Sequence, residues 1–162
     1  MGHLQGKVAI VTGGSRGIGR AIAATFVREG ARVVICGRKQ ETLDAVAAEL
    51  GPAVRPLACH VGRAEDIRRL VEFAGPVDIL VNNAGTNVAQ GPALEMDEAQ
   101  FDKMVEVNLK SAFRLINAVA PGMCGRGSGS IINIASISGL RPQYHGMLYS
   151  MTKAALIMMT QS

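Results

Sequence analysis

Short runs of apolar, β-branched residues alternate along this chain with longer stretches that are apolar on one side only. The short runs, each with the length of a buried strand, cover residues 7–12, 32–36, 54–58, 77–81 and 130–135. The longer stretches have the period of amphipathic helices and cover residues 17–29, 39–50, 64–74 and 97–124, with a further helix expected to carry residues 149–153. This alternation predicts one α/β domain over residues 1–162, with a doubly wound parallel sheet and helices on both faces.

Polar or glycine-rich segments follow several of these strands, and in a parallel sheet the carboxyl ends of the strands form the ligand-binding edge. The first strand runs into a glycine turn, Gly13 to Gly19, which opens the first helix. Small residues there allow the backbone to approach a pyrophosphate, and the helix start offers it unpaired N–H groups. Asn82 to Gly85 follow the fourth strand and Ser136 follows the fifth. The pattern therefore predicts a nucleotide site at this edge.

Tyr149 and Lys153 are four residues apart, so in a helix their side chains lie on the same face. A fixed ammonium beside a phenol favours the phenolate, which makes Tyr149 a candidate general acid or base. The alternative is an ordinary helix with an interface tyrosine and a solvated lysine. Asn108 lies on an apolar helical face, where a buried amide must find partners and could equally be structural. Ser136 is a candidate hydroxyl for the same site, with Ser138 as its rival.

The end of the second strand bears on the choice of dinucleotide. An acidic residue there would bind an adenosine ribose that carries no phosphate, but the strand ends in Cys36, Gly37 and Arg38. Arg38, together with Arg16 in the glycine turn, could bind a 2′-phosphate through paired hydrogen bonds. The sequence thus favours NADPH over NADH, unless Arg38 is simply a solvated residue at a helix start.

The composition of the chain argues against several classes of function. The formal net charge is +4, but the 17 Lys and Arg residues are scattered and the chain has no Trp, so a nucleic-acid partner is not expected. No apolar run is long enough to span a membrane. The three cysteines, at irregular spacings, indicate free thiols rather than a metal site, and we expect a reducing, cytoplasmic location.

Together the motifs resemble those of the short-chain dehydrogenase/reductase family, in order and spacing. The matching segments are Thr12-Gly13-x-x-x-Gly17-x-Gly19, Asn82 to Gly85, Asn108, Ser136 and Tyr149-x-x-x-Lys153. The resemblance implies a Rossmann-type fold that binds NAD(P) and exchanges hydride with a carbonyl or alcohol carbon. It also implies a small-molecule substrate, and a homo-oligomer, a dimer or tetramer formed through the helices that hold Asn108 and Tyr149.

By this resemblance Tyr149 donates the proton, Lys153 binds the nicotinamide ribose, Ser136 polarises the substrate carbonyl, and Asn108 holds a water in a proton relay. The residues then expected to bind the cofactor are Gly13, Ser15, Arg16, Gly17, Ile18, Gly19, Arg38, Val61, Asn83, Ala84, Gly85, Tyr149 and Lys153. Possible subclasses are a 3-oxoacyl-carrier-protein reductase-like enzyme and a general carbonyl reductase. We expect loops 86–97 and 137–148 to line the pocket, with Leu140, His145 and Met147 on an apolar wall.

The chain departs from the family pattern in two places. Cys59-His60-Val61 stands where the family often has Asp-Val, so a carboxylate contact to the adenine is lost, and we assign His60 no catalytic role. Family members also continue beyond the Tyr-x-x-x-Lys helix with at least one more helix and two more strands. We therefore expect the fifth strand to form an apolar edge, either because the chain is a fragment, which we favour, or because a partner covers it. The alternative function is a non-catalytic dinucleotide-binding or interaction module.

Overall fold

The computed structural model describes residues 2–88 and 90–162. Its strands are β1 (Val8–Thr12), β2 (Arg32–Gly37), β3 (Val54–Ala58), β4 (Ile79–Asn82) and β5 (Ser130–Asn133). Its α-helices are α1 (Gly17–Arg28), α2 (Gln40–Leu50), α3 (Ala64–Ala74), α4 (Glu98–Val105), α5 (Ser111–Gly125) and α6 (Met147–Gln161). A π-helical turn, Glu106–Lys110, joins α4 to α5, and two short 3₁₀ turns cover Ala93–Glu95 and Ile137–Gly139.

All five strands are parallel and lie in the order β3-β2-β1-β4-β5. The chain adds strands outward from β1 in one direction and then, from β4 onward, in the other. The reversal between β1 and β4 opens a crevice at the carboxyl edge of the sheet, where ligands bind in folds of this kind. The predicted fold, a doubly wound parallel sheet with helices on both faces, is confirmed.

The strands are buried on both faces because side chains alternate along each of them. On β1, Ala9 and Val11 pack with the inner faces of α1 and α2, whereas Ile10 packs on the opposite side with α3 and α5. The same alternation places Val81 with the first cluster and Leu80 with the second. Two apolar layers therefore hold the sheet, and the polar residues after its strands are left at the carboxyl edge.

The long helical stretch after residue 97 begins as its sequence predicts. The Asp97 carboxylate accepts a hydrogen bond from the Gln100 N–H, and the Gln100 side chain accepts one from the Asp97 N–H, which forms a capping box. The prediction of one regular helix is wrong, because the π-helical turn adds a residue to one turn and shifts the helical phase. Phe101, which precedes the turn, is 42% exposed, whereas Met104 and Asn108 are buried.

β5 pairs with β4 alone within the described part of the chain and forms one edge of the sheet. Its burial alternates between exposed and half-buried residues, and Ile132 is 39% exposed. Among residues 2–88 and 90–162, no helix is long and apolar enough to cross a membrane. Ala89, part of the predicted pocket loop 86–97, lies outside the described residues.

Candidate active site

Thr12 ties the end of β1 to the turn that follows β4. Its side chain is 1% exposed, and its hydroxyl donates a hydrogen bond to the Val81 carbonyl oxygen at 3.2 Å. The Thr12 hydroxyl oxygen in turn accepts hydrogen bonds from the N–H groups of Asn83, at 3.0 Å, and Ala84, at 2.9 Å. Thr12 was expected only as part of the glycine motif, with no role of its own. A hydroxyl at the end of a buried strand was the available signal, since such a group requires partners.

The glycines of the turn after β1 have different tasks. Gly13 and Gly17 have φ values of +68° and +55°, in the region that favours glycine. A β-carbon on Gly19 would lie 2.3 Å from the Gly13 carbonyl oxygen, so this glycine allows α1 to pack closely on the turn. A β-carbon on Gly17 would have no atom within 4 Å and would project into open space. Gly17 therefore serves the local conformation and leaves room for a ligand.

The start of α1 is suited to bind an anion. Its N-cap residue, Arg16, makes no side-chain capping hydrogen bond, and the first turn contains no acidic residue. The N–H groups and the positive end of the helix dipole are thus left for a ligand. The predicted cofactor contacts Arg16 and Ile18 are exposed here, Ile18 at 62%.

Ser15 and Arg38 lie where the glycine turn meets the end of β2. A β-carbon on Gly37 would be 3.7 Å from the Ser15 hydroxyl oxygen, which locates Ser15 beside this strand end. Arg38 follows directly, is exposed, and precedes the N-cap of α2. Both arginines proposed for a 2′-phosphate, Arg16 and Arg38, are therefore exposed on the two segments that flank Ser15.

Asn83 connects the glycine turn to the segment after β4. Its side-chain amide donates hydrogen bonds to the carbonyl oxygens of Thr12, at 2.8 Å, and Gly13, at 3.3 Å. Asn82 instead faces β5, where its amide donates to the Asn133 Oδ1 at 2.8 Å. The Asn82 Oδ1 is buried with no hydrogen-bond partner among the described residues. The segment predicted to contact the cofactor is thus fixed by its own side chains.

Asn108 lies in the π-helical turn and is 2% exposed. Its Oδ1 accepts a hydrogen bond from the Thr86 N–H at 2.7 Å, and its Nδ2 donates to the Thr86 carbonyl oxygen at 2.8 Å. The same Nδ2 donates to the Thr152 hydroxyl on α6 at 3.1 Å. The amide thereby joins the segment after β4 to α6. Thr152 is a second residue that sequence reasoning missed, although it lies between Tyr149 and Lys153.

Tyr149 and Lys153 lie on the inner face of α6, as their spacing predicts. The Lys153 ammonium is 5.7 Å from the centre of the Tyr149 ring and donates a hydrogen bond to the Ile134 carbonyl oxygen at 2.6 Å. Lys153 is 4% exposed, and burial lowers the pKa of its ammonium. A β-carbon on Gly85 would be 3.8 Å from the Lys153 Nζ and 3.6 Å from the Asn108 Oδ1. Gly85 thus lies beside both the Lys153 ammonium and the Asn108 amide oxygen.

Ser136 follows β5 and caps the Ile137–Gly139 turn. Its hydroxyl oxygen accepts a hydrogen bond from the Ser138 N–H at 3.1 Å, which leaves the hydroxyl proton free to donate. The turn is seated on α6, since a β-carbon on Gly139 would meet the backbone of Lys153 at 2.8 Å. Ser138, the rival hydroxyl, is buried and lines a neighbouring cleft.

Val61 and His60 lie after β3, at the far end of the sheet from Tyr149. The Val61 side chain is buried in the core, so its backbone is what remains for a ligand. The His60 N–H donates to an Asp66 carboxylate oxygen at 2.8 Å, and the Gly62 N–H donates to the His60 Nδ1 at 3.1 Å. His60 therefore shapes the turn after β3.

A cleft of about 850 Å³ adjoins the site. Leu140, His145 and Met147, which we expected on the wall of the substrate pocket, line it, but Tyr149 and Ser136 do not. It follows the outer face of α6, and its other lining residues are Gly91, Pro92, Ala93, Ser138, Gly139, Pro142, Gln143, Tyr144, Ser150, Met151 and Ala154. His145, with φ of +56°, has a buried Nδ1 that finds no partner among the described residues. Within those residues, no group of three His, Cys, Asp or Glu could hold a metal ion.

Known proteins include a family, relatives and solved structures that are similar to this chain. The family model described as short chain dehydrogenase matches residues 7–162. Dehydrogenase/reductase SDR family member 4 of Oryctolagus cuniculus is 41% identical over 98% of this chain and 64% of that protein. A 3-ketoacyl-(acyl-carrier-protein) reductase from Brucella melitensis, solved with NADH, has a TM-score of 0.93 and 33% identity over 98% of this chain and 69% of that one. A metagenomic short-chain oxidoreductase in complex with NADP has a TM-score of 0.91 and 39% identity over 98% and 75%.

The proteins that this chain matches are longer than the chain itself. It spans 64% of the rabbit protein and 60% of the related protein of Sus scrofa. The two solved structures hold different dinucleotides, NADH in one and NADP in the other.

Proposed function

This chain belongs to the short chain dehydrogenase family, and from that premise we propose that it is an NADP(H)-dependent oxidoreductase. The reaction is hydride transfer between nicotinamide and the carbon of a carbonyl or secondary alcohol. The observation that carries the proposal is the buried Lys153 ammonium beside the Tyr149 ring, at the same sheet edge as the glycine turn. A binding module could use the Lys153 ammonium to hold the dinucleotide, but it would need no phenol beside it to donate a proton.

The chain's residues fit a dinucleotide. The open space at Gly17 and the uncapped start of α1 form a cradle for a pyrophosphate. The backbone of Asn83 to Gly85, the backbone at Val61 and the Lys153 ammonium would hold the remaining parts along the carboxyl edge. When bound, the dinucleotide supplies or accepts the hydride.

Side chains of the protein transfer the proton in this proposal. We assign the transfer to the phenol of Tyr149, which would donate a proton to the carbonyl oxygen during reduction. The Lys153 ammonium stabilises the phenolate that remains, because its charge lies near the ring in a poorly solvated site. The Ser136 hydroxyl already accepts from the Ser138 N–H, so its own proton is free for the same carbonyl oxygen. Asn108 would act in a proton relay behind Lys153.

Turnover and Tyr149→Phe test this function. Oxidation of NADPH should be followed with a panel of aliphatic and aromatic ketones and aldehydes. The Phe variant removes one hydroxyl and should abolish turnover while leaving NADPH affinity within about threefold of the wild type. An active Phe variant would refute the role of Tyr149. NADPH binding without turnover on the whole panel would instead favour a dinucleotide-binding module.

The preference for NADPH rests on Arg38 and Arg16. Loss of one charge-assisted contact to a 2′-phosphate removes about 1.5–3 kcal/mol, so Arg38→Ala should weaken NADPH binding by about 10-fold to 150-fold. NADH, which has no such phosphate, should bind the variant almost unchanged. Arg32→Ala is the matched control, because Arg32 is also exposed but begins β2 at the opposite end of the sheet. Equal loss of NADPH and NADH affinity in the Arg38 variant would contradict the preference.

We also propose a homo-oligomer in a reducing, cytoplasmic location. Exposed apolar side chains on α5 and α6 support self-association: Phe113 is 57% exposed, Met151 39% and Met158 61%. Light scattering coupled to gel filtration would test the assembly, and a monomer at micromolar concentration would argue against it.

A further inference from the structure

Thr152 is a buried hydroxyl where a valine side chain would fill the same space. It is 1% exposed and lies on the inner face of α6, between Tyr149 and Lys153. A buried hydroxyl is costly unless it is hydrogen bonded. Its oxygen accepts from the Asn108 Nδ2 at 3.1 Å, and its proton is donated to the Tyr149 carbonyl oxygen at 2.9 Å. Both bonds thus lead to residues assigned to the reaction.

The Asn108 amide can adopt one orientation only. The Thr86 N–H requires an acceptor, which must be the Oδ1, and the Thr86 carbonyl oxygen requires a donor, which must be the Nδ2. One proton of the Nδ2 is thereby used, and the other is directed at Thr152. The Thr152 hydroxyl consequently accepts a hydrogen bond from an amide whose orientation the segment after β4 has already fixed.

The hydrogen bond joins two elements that must be in register. Asn108 is on the π-helical turn, and Tyr149 and Lys153 are on α6. The Asn108 Oδ1 and the Lys153 Nζ both lie beside Gly85, at 3.6 Å and 3.8 Å from where its β-carbon would be. A shift or rotation of α6 against the turn would therefore change the distance between amide and ammonium.

We propose that Thr152 is a positioning residue, whose hydroxyl holds α6 in register with Asn108 and so sets the place of Tyr149 and Lys153. The inference rests on the proposed function, because its consequence is an effect on turnover. Misplacement of reacting groups by a fraction of an ångström is enough to slow an enzyme considerably. The hydroxyl itself touches neither the substrate nor the cofactor in this proposal.

Thr152→Val tests it, since valine keeps the shape and removes the hydroxyl. Thr152→Ser keeps the hydroxyl and serves as the rescue variant. The control is Thr160→Val on the same helix: the Thr160 hydroxyl, which is exposed where that of Thr152 is buried, also accepts from an asparagine amide, Asn133, at 2.9 Å and donates to the Leu156 carbonyl oxygen, at 2.7 Å. The control thus loses the same two kinds of hydrogen bond away from Tyr149.

Three quantities should be measured on the four proteins: turnover with NADPH and the best carbonyl substrate, the Kd of NADPH, and the exchange with water of the Asn108 side-chain amide protons by ¹⁵N NMR. We expect Thr152→Val to lower kcat by about 10-fold to 100-fold, with the Kd within about threefold. Its Asn108 amide protons should exchange about tenfold faster. Thr152→Ser and Thr160→Val should match the wild type within about threefold in all three quantities.

Equal losses of kcat in Thr152→Val and Thr160→Val would overturn the proposal, because the effect would then be general destabilisation. So would an unchanged kcat in Thr152→Val. If the wild type turns over no carbonyl compound, the proposed function fails and the amide exchange decides about Thr152 alone. Unchanged exchange in Thr152→Val would then overturn the positioning role, and faster exchange rescued by serine would support it.

Discussion

Gly19 and Gly17, two residues apart in the first turn of α1, should respond very differently to an added methyl group. In Gly19→Ala the β-carbon would lie 2.3 Å from the Gly13 carbonyl oxygen and 2.5 Å from the Asn83 Nδ2. No rotamer relieves this overlap, so α1 or the glycine turn must move. Overpacking costs about 1–3 kcal/mol, and loss of the Asn83 hydrogen bonds adds about 1–3 kcal/mol. We expect a total loss of about 2–6 kcal/mol in the free energy of unfolding.

Gly17→Ala meets no atom within 4 Å, so no packing term arises. Its φ of +55° is the left-handed region, which costs an L-residue about 1–2 kcal/mol. The methyl group would however occupy the space in which we place the pyrophosphate. NADPH affinity should therefore fall by about tenfold or more, although the protein stays folded.

Urea unfolding followed by circular dichroism measures the stabilities, and NADPH fluorescence measures the affinities. Gly127→Ala is the matched control for backbone strain, because Gly127 has φ of +63° and likewise no atom within 4 Å, but precedes β5. It should lose as much stability as Gly17→Ala and retain its NADPH affinity. The reasoning is refuted if Gly19→Ala is as stable as Gly17→Ala, or if Gly17→Ala and Gly127→Ala bind NADPH equally well.

Two further predictions concern charged groups and pH. Burial lowers the pKa of Lys153, so the unfolded chain binds more protons and stability rises with pH towards the unfolded pKa of about 10.4. At pH 7 Lys153→Met should unfold at a higher urea concentration than the wild type, with a free energy of unfolding larger by about 1 kcal/mol. This difference should close towards pH 10, and turnover should be lost. A Met variant that is less stable than the wild type at pH 7 would contradict this. For Glu106, burial acts to raise the pKa, but the hydrogen bond and charge of Arg114 and the charge of Lys110 outweigh it and lower the pKa. The stability that Glu106 contributes is therefore present above its unfolded pKa of about 4.3 and is lost as pH falls through the lower folded value. The urea midpoints of the wild type and Glu106→Gln should accordingly converge at acid pH. A constant difference between the two midpoints from pH 7 to pH 3 would argue against this.

The parts of the fold that the sequence predicts well are those determined by local chemistry. Strand β3 has the predicted bounds, and β1, β2 and β5 differ from theirs by one or two residues, because β-branched runs stop at glycine or polar residues. β4 begins at Ile79 rather than Val77, and the Asp78 carboxylate just before it accepts a hydrogen bond from the Val8 N–H at 2.9 Å. That contact spans 70 residues and leaves no mark on the local pattern.

The features that the sequence does not reveal depend on partners far along the chain. The π-helical turn leaves the apolar pattern readable as one helix, so the sequence does not show its phase shift. Thr12 and Thr152 look like ordinary strand and helix residues until their partners, up to 72 and 44 residues away, are known. The assigned roles of Ser136, Asn108 and the cofactor-binding residues remain predictions that the experiments above address.

Hydrogen bonds within the chain hold in place the groups at the carboxyl edge that we assign to binding and catalysis. Thr12 fixes the segment after β4, Thr86 fixes the Asn108 amide, and the Ile134 carbonyl oxygen fixes Lys153. Because these bonds form within the chain, the site is organised by folding and not by its ligand, which lowers the entropic cost of binding. The arrangement is not free of cost, since it buries an ammonium that forms no ion pair and an Asn82 Oδ1 that has no partner among the described residues. A chain selected for stability alone would have apolar residues at these positions, so the retained polar groups argue for function at this edge.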